Sequence, residues 1–220
     1  MRPALTELRL RRAARPLTER WRQLPVQPRG AARLGISFRP LQAAALGLDP
    51  DAALRTLLAY PFQLIRLGAY WNRLEARPGD FQPDELDRQL DAAEQAGKQV
   101  IMCLGAVKAF GYPEFFVPVH HLGQPLREGS LVRPDDRRDL LDAGIAFVHR
   151  VIERYRHRAC IIAWQVEHEA VDPLGMEHSW RLAEAFVRSE VEAVRAADPG
   201  RPVMMNGFLP TSAQIGRAHV

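Results

Sequence analysis

The sequence has no run near the ~18 consecutive apolar residues that a membrane-spanning helix needs. Its first thirty residues also lack the apolar stretch that follows the basic start of a secretory signal. A soluble, cytoplasmic chain with no membrane partner is expected. Cysteine is scarce: Cys103 and Cys160 are the only two, each inside an apolar run, which excludes a disulfide framework and fits a reduced pair. Lysine is equally scarce, with only Lys98 and Lys108 among 30 basic residues. No Gly-rich phosphate turn follows the first apolar run. Arg39-Pro40-Leu41-Gln42 stands there instead, which weighs against a dinucleotide-binding fold.

What is present in excess is arginine, and its placement matters more than the pI of about 9.5. Eight arginines against two glutamates give the first thirty residues a charge of +6, so the other 190 residues carry −2 of the chain's +4. The body is mildly acidic, and neither aromatic interleaving nor a recognition motif accompanies the basic arm. We read residues 1–30 as a basic extension and expect no nucleic-acid partner.

From residue 33 onward, short apolar segments alternate with segments of helical period, the pattern of repeated βα units around a parallel sheet. Leu34-Gly35-Ile36-Ser37-Phe38, Phe62-Gln63-Leu64-Ile65-Arg66-Leu67, Val100-Ile101-Met102-Cys103-Leu104, Cys160-Ile161-Ile162-Ala163-Trp164-Gln165-Val166 and Pro202-Val203-Met204-Met205-Asn206 read as five strands. Between them, Asp49-Pro50 and Pro83-Asp84-Glu85 open helices, and Leu141, Ile145, Val148, Ile152 and Tyr155 mark the buried stripe of a longer one. A last helix is expected over 178–197. The Pro- and Gly-containing stretch at 105–134 is long for a loop in a compact domain, a length usually tied to function. Strands that are apolar almost throughout belong to a sheet covered on both faces, and a doubly wound sheet and a closed barrel both satisfy this.

If the sheet is a barrel, its reactive groups lie at the C-terminal ends of the strands. There the sequence places Arg66 with Tyr70-Trp71, then Glu167-His168-Glu169, then Asn206. Trp71-Asn72-Arg73-Leu74-Glu75, Pro78-Gly79-Asp80-Phe81, Leu86-Asp87 and Ala96-Gly97-Lys98-Gln99-Val100-Ile101 resemble the W-x-x-x-E-x-x-P-G-x-F … L-D … A-x-x-x-G-x-x-V stretch of one group of enzymes. That group is the retaining clan of (β/α)8-barrel glycoside hydrolases that includes bacterial β-galactosidases and cellulase-like enzymes. Ile162-Ala163-Trp164-Gln165-Val166-Glu167-His168-Glu169 is similar to its fourth-strand signature, W-Q-[IV]-[DE]-N-E. The resemblance spans roughly residues 33–207 and implies an α/β fold, a TIM barrel truncated after about strand five.

Carried over position by position, the resemblance implies Glu169 as catalytic acid/base, with Glu167 a supporting carboxylate. It implies Arg66 as a clamp on a nucleophilic carboxylate and Asn206 as a substrate amide. His168 stands where the clan usually has an Asn that holds the sugar 2-hydroxyl, and imidazole can make a similar hydrogen bond. Trp71, Tyr112 and Trp164 are candidate stacking faces for sugar rings, with Trp164 the one best suited to the core. His120-His121 have no Asp, Glu or Cys at ligand spacing, so no metal is expected, nor any cofactor.

The second carboxylate of a retaining pair is implied at the end of a seventh strand, beyond the five seen here. Residues 215–220, Ile-Gly-Arg-Ala-His-Val, match the in-frame translation of a common sequencing adapter and are read as an artefact. The barrel portion is therefore 31–214. The partner expected is a carbohydrate, and the function a hydrolase of β-linked glycans. A non-catalytic sugar-binding barrel, or a different sugar-active barrel enzyme, stays open. The sequence is silent on oligomeric state.

Overall fold

The computed structural model describes residues 33–110, 115–171 and 180–206. The basic extension at 1–30, Tyr112 and the terminal hexapeptide at 215–220 lie outside the described residues.

The five expected strands all form: β1 (Gly35–Ser37), β2 (Leu64–Gly68), β3 (Gln99–Cys103), β5 (Ile161–Gln165) and β7 (Val203–Met204). They make one parallel sheet in the order β1-β2-β3-β5-β7. Each connection returns the chain to the next position on the same edge, as in the wall of a barrel. The helices between them are α1 (Pro40–Ala45), α2 (Pro50–Leu58), α3 (Trp71–Leu74), α4 (Asp84–Gln95), α5 (Arg138–Tyr155) and α6 (Glu184–Ala197). Asp49 starts α2 as expected, accepting from the Asp51 and Ala52 N–H groups ahead of a proline at the first helical position.

Strand alternation sorts the side chains by face. Ile65, Leu67, Val100, Met102 and Trp164 are fully buried and share one core with the inward stripes of the helices, such as Leu86 and Leu90 of α4 and Val148 and Ile152 of α5. On the other face Leu64, Arg66, Ile101, Gln165 and Met204 line an open concavity of about 340 Å³. Burying the first set contributes of order 1.5–3 kcal/mol per large side chain, which is what holds the helices to the sheet.

Two expectations need correction. The last helix begins at Glu184, not near 178, because Arg181–Leu182 forms a short strand β6 instead. The long stretch after β3 is not all loop: Leu131–Val132, strand β4, pairs in parallel with β6. The Arg181 N–H donates to Ser130 O, the Ala183 N–H to Val132 O and the Leu182 N–H to Ala170 O. This small second sheet fastens the segment after β3 to the segment after β5, so both are fixed over the same end of the main sheet.

Candidate active site

The C-terminal end of β5 is where the chain departs from ordinary geometry. Glu167 (φ +52°) and Glu169 (φ +49°) are the only described non-glycine residues in the left-handed region. Such conformations cost of order 1 kcal/mol or more each and persist where surrounding contacts over-determine them. The contacts are visible for Glu167. Its fully buried carboxylate accepts from the Val107 N–H at 3.0 Å and the Lys108 N–H at 2.6 Å. Gly105 makes that approach possible, since a Cβ there would lie 2.7 Å from Glu167 Cα and 2.8 Å from Lys108 O. Glu190, fully buried on α6, lies close enough to Glu167 for the two carboxyls to interact, and neither of its oxygens has a hydrogen-bond partner among the described residues. Burial first, and then the neighbouring carboxylate, push the Glu190 carboxyl well above the usual range. Burial also raises Glu167, against the two N–H bonds and the Lys108 charge. The protonated form is thus favoured most at Glu190.

With Glu167 turned inward, the left-handed turn carries His168 and Glu169 to the rim. The Glu169 side chain is 37% exposed, and its main-chain oxygen accepts from Lys108 Nζ at 3.3 Å. His168 is held from behind by a chain of hydrogen bonds with a defined direction. Arg66 Nη1 can only donate, and it donates to Gln165 Oε1 at 3.0 Å. Gln165 Nε2 therefore donates, to Asn206 Oδ1 at 2.9 Å and to Glu167 O at 3.1 Å. That leaves Asn206 Nδ2 facing His168 Nδ1 at 3.0 Å as donor, which puts the histidine proton on Nε2. Nε2 lies 3.9 Å from Glu169 Oε2. Burial lowers the His168 pKa, Glu169 opposes this, and Arg66, Arg39 and Lys108 reinforce it. The imidazole is neutral at neutral pH and presents an N–H donor beside an exposed carboxylate.

Arg66 sits over the Phe110 ring at 4.2 Å, with Arg39 over the same ring at 5.4 Å and His168 edge-on to it at 6.1 Å. Burial lowers the Arg66 pKa, yet a guanidinium stays charged. Its Nε is buried without a hydrogen-bond partner among the described residues. A cation with an unused donor suits an anionic neighbour. Cys103, two register positions beyond the partner of Arg66 and so on the same face, is held as a thiol by burial, which pushes it up to about 12. It and Cys160 are both free, as expected.

The structure thus brings together Arg66, His168, Glu169 and Asn206. Trp71 is the correction. It is 0% exposed, stacked 5.3 Å from Phe147, and its Nε1 donates to Glu75 Oε2 at 2.9 Å. It cannot offer a face to a sugar. The W-x-x-x-E-x-x-P-G pattern is instead a folded turn, because Glu75 Oε1 also accepts from the Gly79 N–H at 3.0 Å and Gly79 has a positive φ that favours glycine. Trp164 is core as well, bonded through Nε1 to Asp198 on the helix side. Sequence reading missed the linking role of Gln165, the Phe110 platform, Gly105 and Glu190. Only Glu190 carried a legible signal: a carboxylate inside the Phe186-Val187-Val191-Val194 stripe of α6.

No family model matches the sequence, and no curated protein matches it. The five-stranded parallel sheet with its covering helices has the fold of part of a (β/α)8 barrel. The structure is similar to that of a GH5_18 protein from Streptomyces cattleya in complex with GlcNAc (TM-score 0.60, 16% identity, covering 80% of this chain and 44% of that one). It is also similar to an exo-β-1,4-mannosidase from an Opitutaceae bacterium, strain TAV5 (0.58, 16%, 80% and 32%). A third similar structure is xylanase 10B from Thermotoga petrophila in complex with xylobiose (0.56, 12%, 84% and 53%). The chain spans between about a third and a half of the length of these proteins. Among the described residues no helix is long and apolar enough to cross a membrane.

Proposed function

We propose that the full-length protein hydrolyses β-linked glycans by a retaining double displacement, with Glu169 as acid/base. The observation that supports this most is the turn after β5, which buries one carboxylate, Glu167, and displays the other beside a neutral, oriented imidazole. In this reading Glu169 protonates the departing glycosidic oxygen while a second carboxylate attacks the anomeric carbon. Glu169 then removes a proton from the water that releases the sugar. The second carboxylate comes from a later strand, about 5–5.5 Å from Glu169, where the Arg66 guanidinium would keep it ionised. His168 Nε2–H donates to a hydroxyl of the bound sugar. Hydrolysis of a panel of 4-nitrophenyl β-glycosides and β-linked oligosaccharides by the full-length protein tests the proposal. Turnover of at least one is expected, whereas sugar binding without cleavage would assign a non-catalytic barrel.

The directed chain behind His168 gives a separate expectation. His168→Leu leaves the Asn206 amide donor unpaired and removes the Nε2 donor, and kcat/KM is expected to fall roughly 10- to 100-fold, the worth of one or two buried hydrogen bonds. His168→Asn restores a donor and should stay within about tenfold of wild type. Because His168 is already neutral, the pH profile of kcat/KM for His168→Asn should coincide with wild type through the ordinary histidine range near pH 6.5. An inflection lost in the variant would show that His168 titrates during catalysis.

A further inference from the structure

His120 and His121 gain a partner that local spacing does not reveal. They lie on the 3-10 turn Val119–His121 in the segment after β3. Glu75, 45 positions upstream in the segment after β2, reaches them. Glu75 Oε1 is 3.6 Å from His120 Nε2 and 3.5 Å from His121 Nε2, and the three residues each bring a ligand atom within 4.8 Å of the others. In a tetrahedral zinc site with bonds of about 2.0–2.2 Å, neighbouring ligand atoms stand roughly 3.3–3.5 Å apart. The two measured separations match that edge within a few tenths of an ångström.

We propose that Glu75, His120 and His121 bind a zinc-class divalent ion that fastens the segment after β2 to the segment after β3. Three further features fit this. The carboxylate is oriented by outer hydrogen bonds, from Trp71 Nε1 to Oε2 and from the Gly79 N–H to Oε1, as metal-ligating carboxylates usually are. His121 is packed in place against Trp71, at 4.6 Å between ring centroids, and its buried Nε2 makes no hydrogen bond among the described residues. The three side chains are between 13% and 26% exposed, so the ion is shielded by protein and a fourth position stays open for water. Two imidazoles and one carboxylate favour zinc over the oxygen-seeking magnesium and calcium. No group of the Glu169 site is among the ligands, so the ion takes no part in the proposed hydrolysis.

The test uses the full chain stripped with a chelator. Competition against a chromophoric chelator should show one equivalent of Zn²⁺ bound per chain, with affinity at least 100-fold weaker in His120→Ala. Co²⁺ should give the visible absorption of a low-coordinate site, absent from that variant. Zn²⁺ at about 100 times its dissociation constant should raise Tm by roughly 5 °C or more, and Mg²⁺ at the same concentration should not. His120 lies on a short surface turn outside the buried core, so its variant should fold, and Glu75→Gln, which retains an acceptor for Trp71, is the second variant. Less than one equivalent bound, or affinity unchanged in both variants, would overturn the proposal. So would a Tm that rises on acidification but not with Zn²⁺, the mark of two histidines merely ion-paired to Glu75.

Discussion

Glu169→Gln in the full-length protein is expected to lower kcat for β-linked oligosaccharides by roughly 10²- to 10⁴-fold, the usual worth of a positioned general acid, while sparing the first step on activated aryl glycosides. The split follows from the chemistry of the leaving group. A sugar alkoxide needs a proton as the glycosidic bond breaks, and an aryl oxide such as 4-nitrophenolate does not. Glutamine keeps the size and polarity of Glu169 and cannot supply the proton. The turn should survive the exchange, because its geometry is set by Glu167 and Gln165 and not by the Glu169 side chain. Single-turnover release of 4-nitrophenolate beside steady-state cleavage of an oligosaccharide checks this. Equal losses on both substrates would point to a damaged site instead of a missing acid, and no loss on either would remove Glu169 from the acid role.

The largest stability effect is expected at the buried carboxyl pair. Glu167→Ala strips two buried backbone donors, at Val107 and Lys108, of their acceptor and removes the carboxyl beside Glu190. A loss of about 2–5 kcal/mol is expected, together with loss of the turn that displays Glu169. Glu190→Gln separates charge from hydrogen bonding. Because burial and the neighbouring Glu167 raise the Glu190 carboxyl, the folded state is expected to keep a proton that the unfolded chain releases above the ordinary glutamate range, and stability should fall as pH rises from there. The slope is about 1.4 kcal/mol per pH unit for one proton, until the pair ionises. Glutamine at 190 can still donate to Glu167 and has no proton to lose. Denaturant unfolding of the full-length protein from pH 5 to pH 9 should show the decline in wild type and not in Glu190→Gln. At the alkaline end the variant should equal or exceed wild type. Parallel curves would show that Glu190 keeps no such proton.

The parallel βα order was legible because each strand of the main sheet is buried on its helix face, which forces nearly unbroken apolar runs such as 100–104 and 160–164. The rim residues Arg66, His168, Glu169 and Asn206 were legible because strand ends fix which side chains meet. Strands β4 and β6 were not, since two residues each carry no period. Trp71 was misread because a tryptophan beside a strand end looks alike in sequence whether its indole turns toward a sugar or toward Phe147, and only packing decides. The pairing of Glu75 with His120 and His121 is likewise tertiary, set by the turn that Gly79 allows.

The most direct measurement of the central proposal is azide rescue of the full-length Glu169→Ala variant on a 4-nitrophenyl β-glycoside that the wild type cleaves. Without its acid/base the variant should accumulate glycosyl-enzyme. Azide, which needs no deprotonation, should restore turnover by an order of magnitude or more and give the β-glycosyl azide. Unchanged turnover in azide, or an α-azide as the product, would contradict Glu169 as the acid/base of a retaining glycosidase.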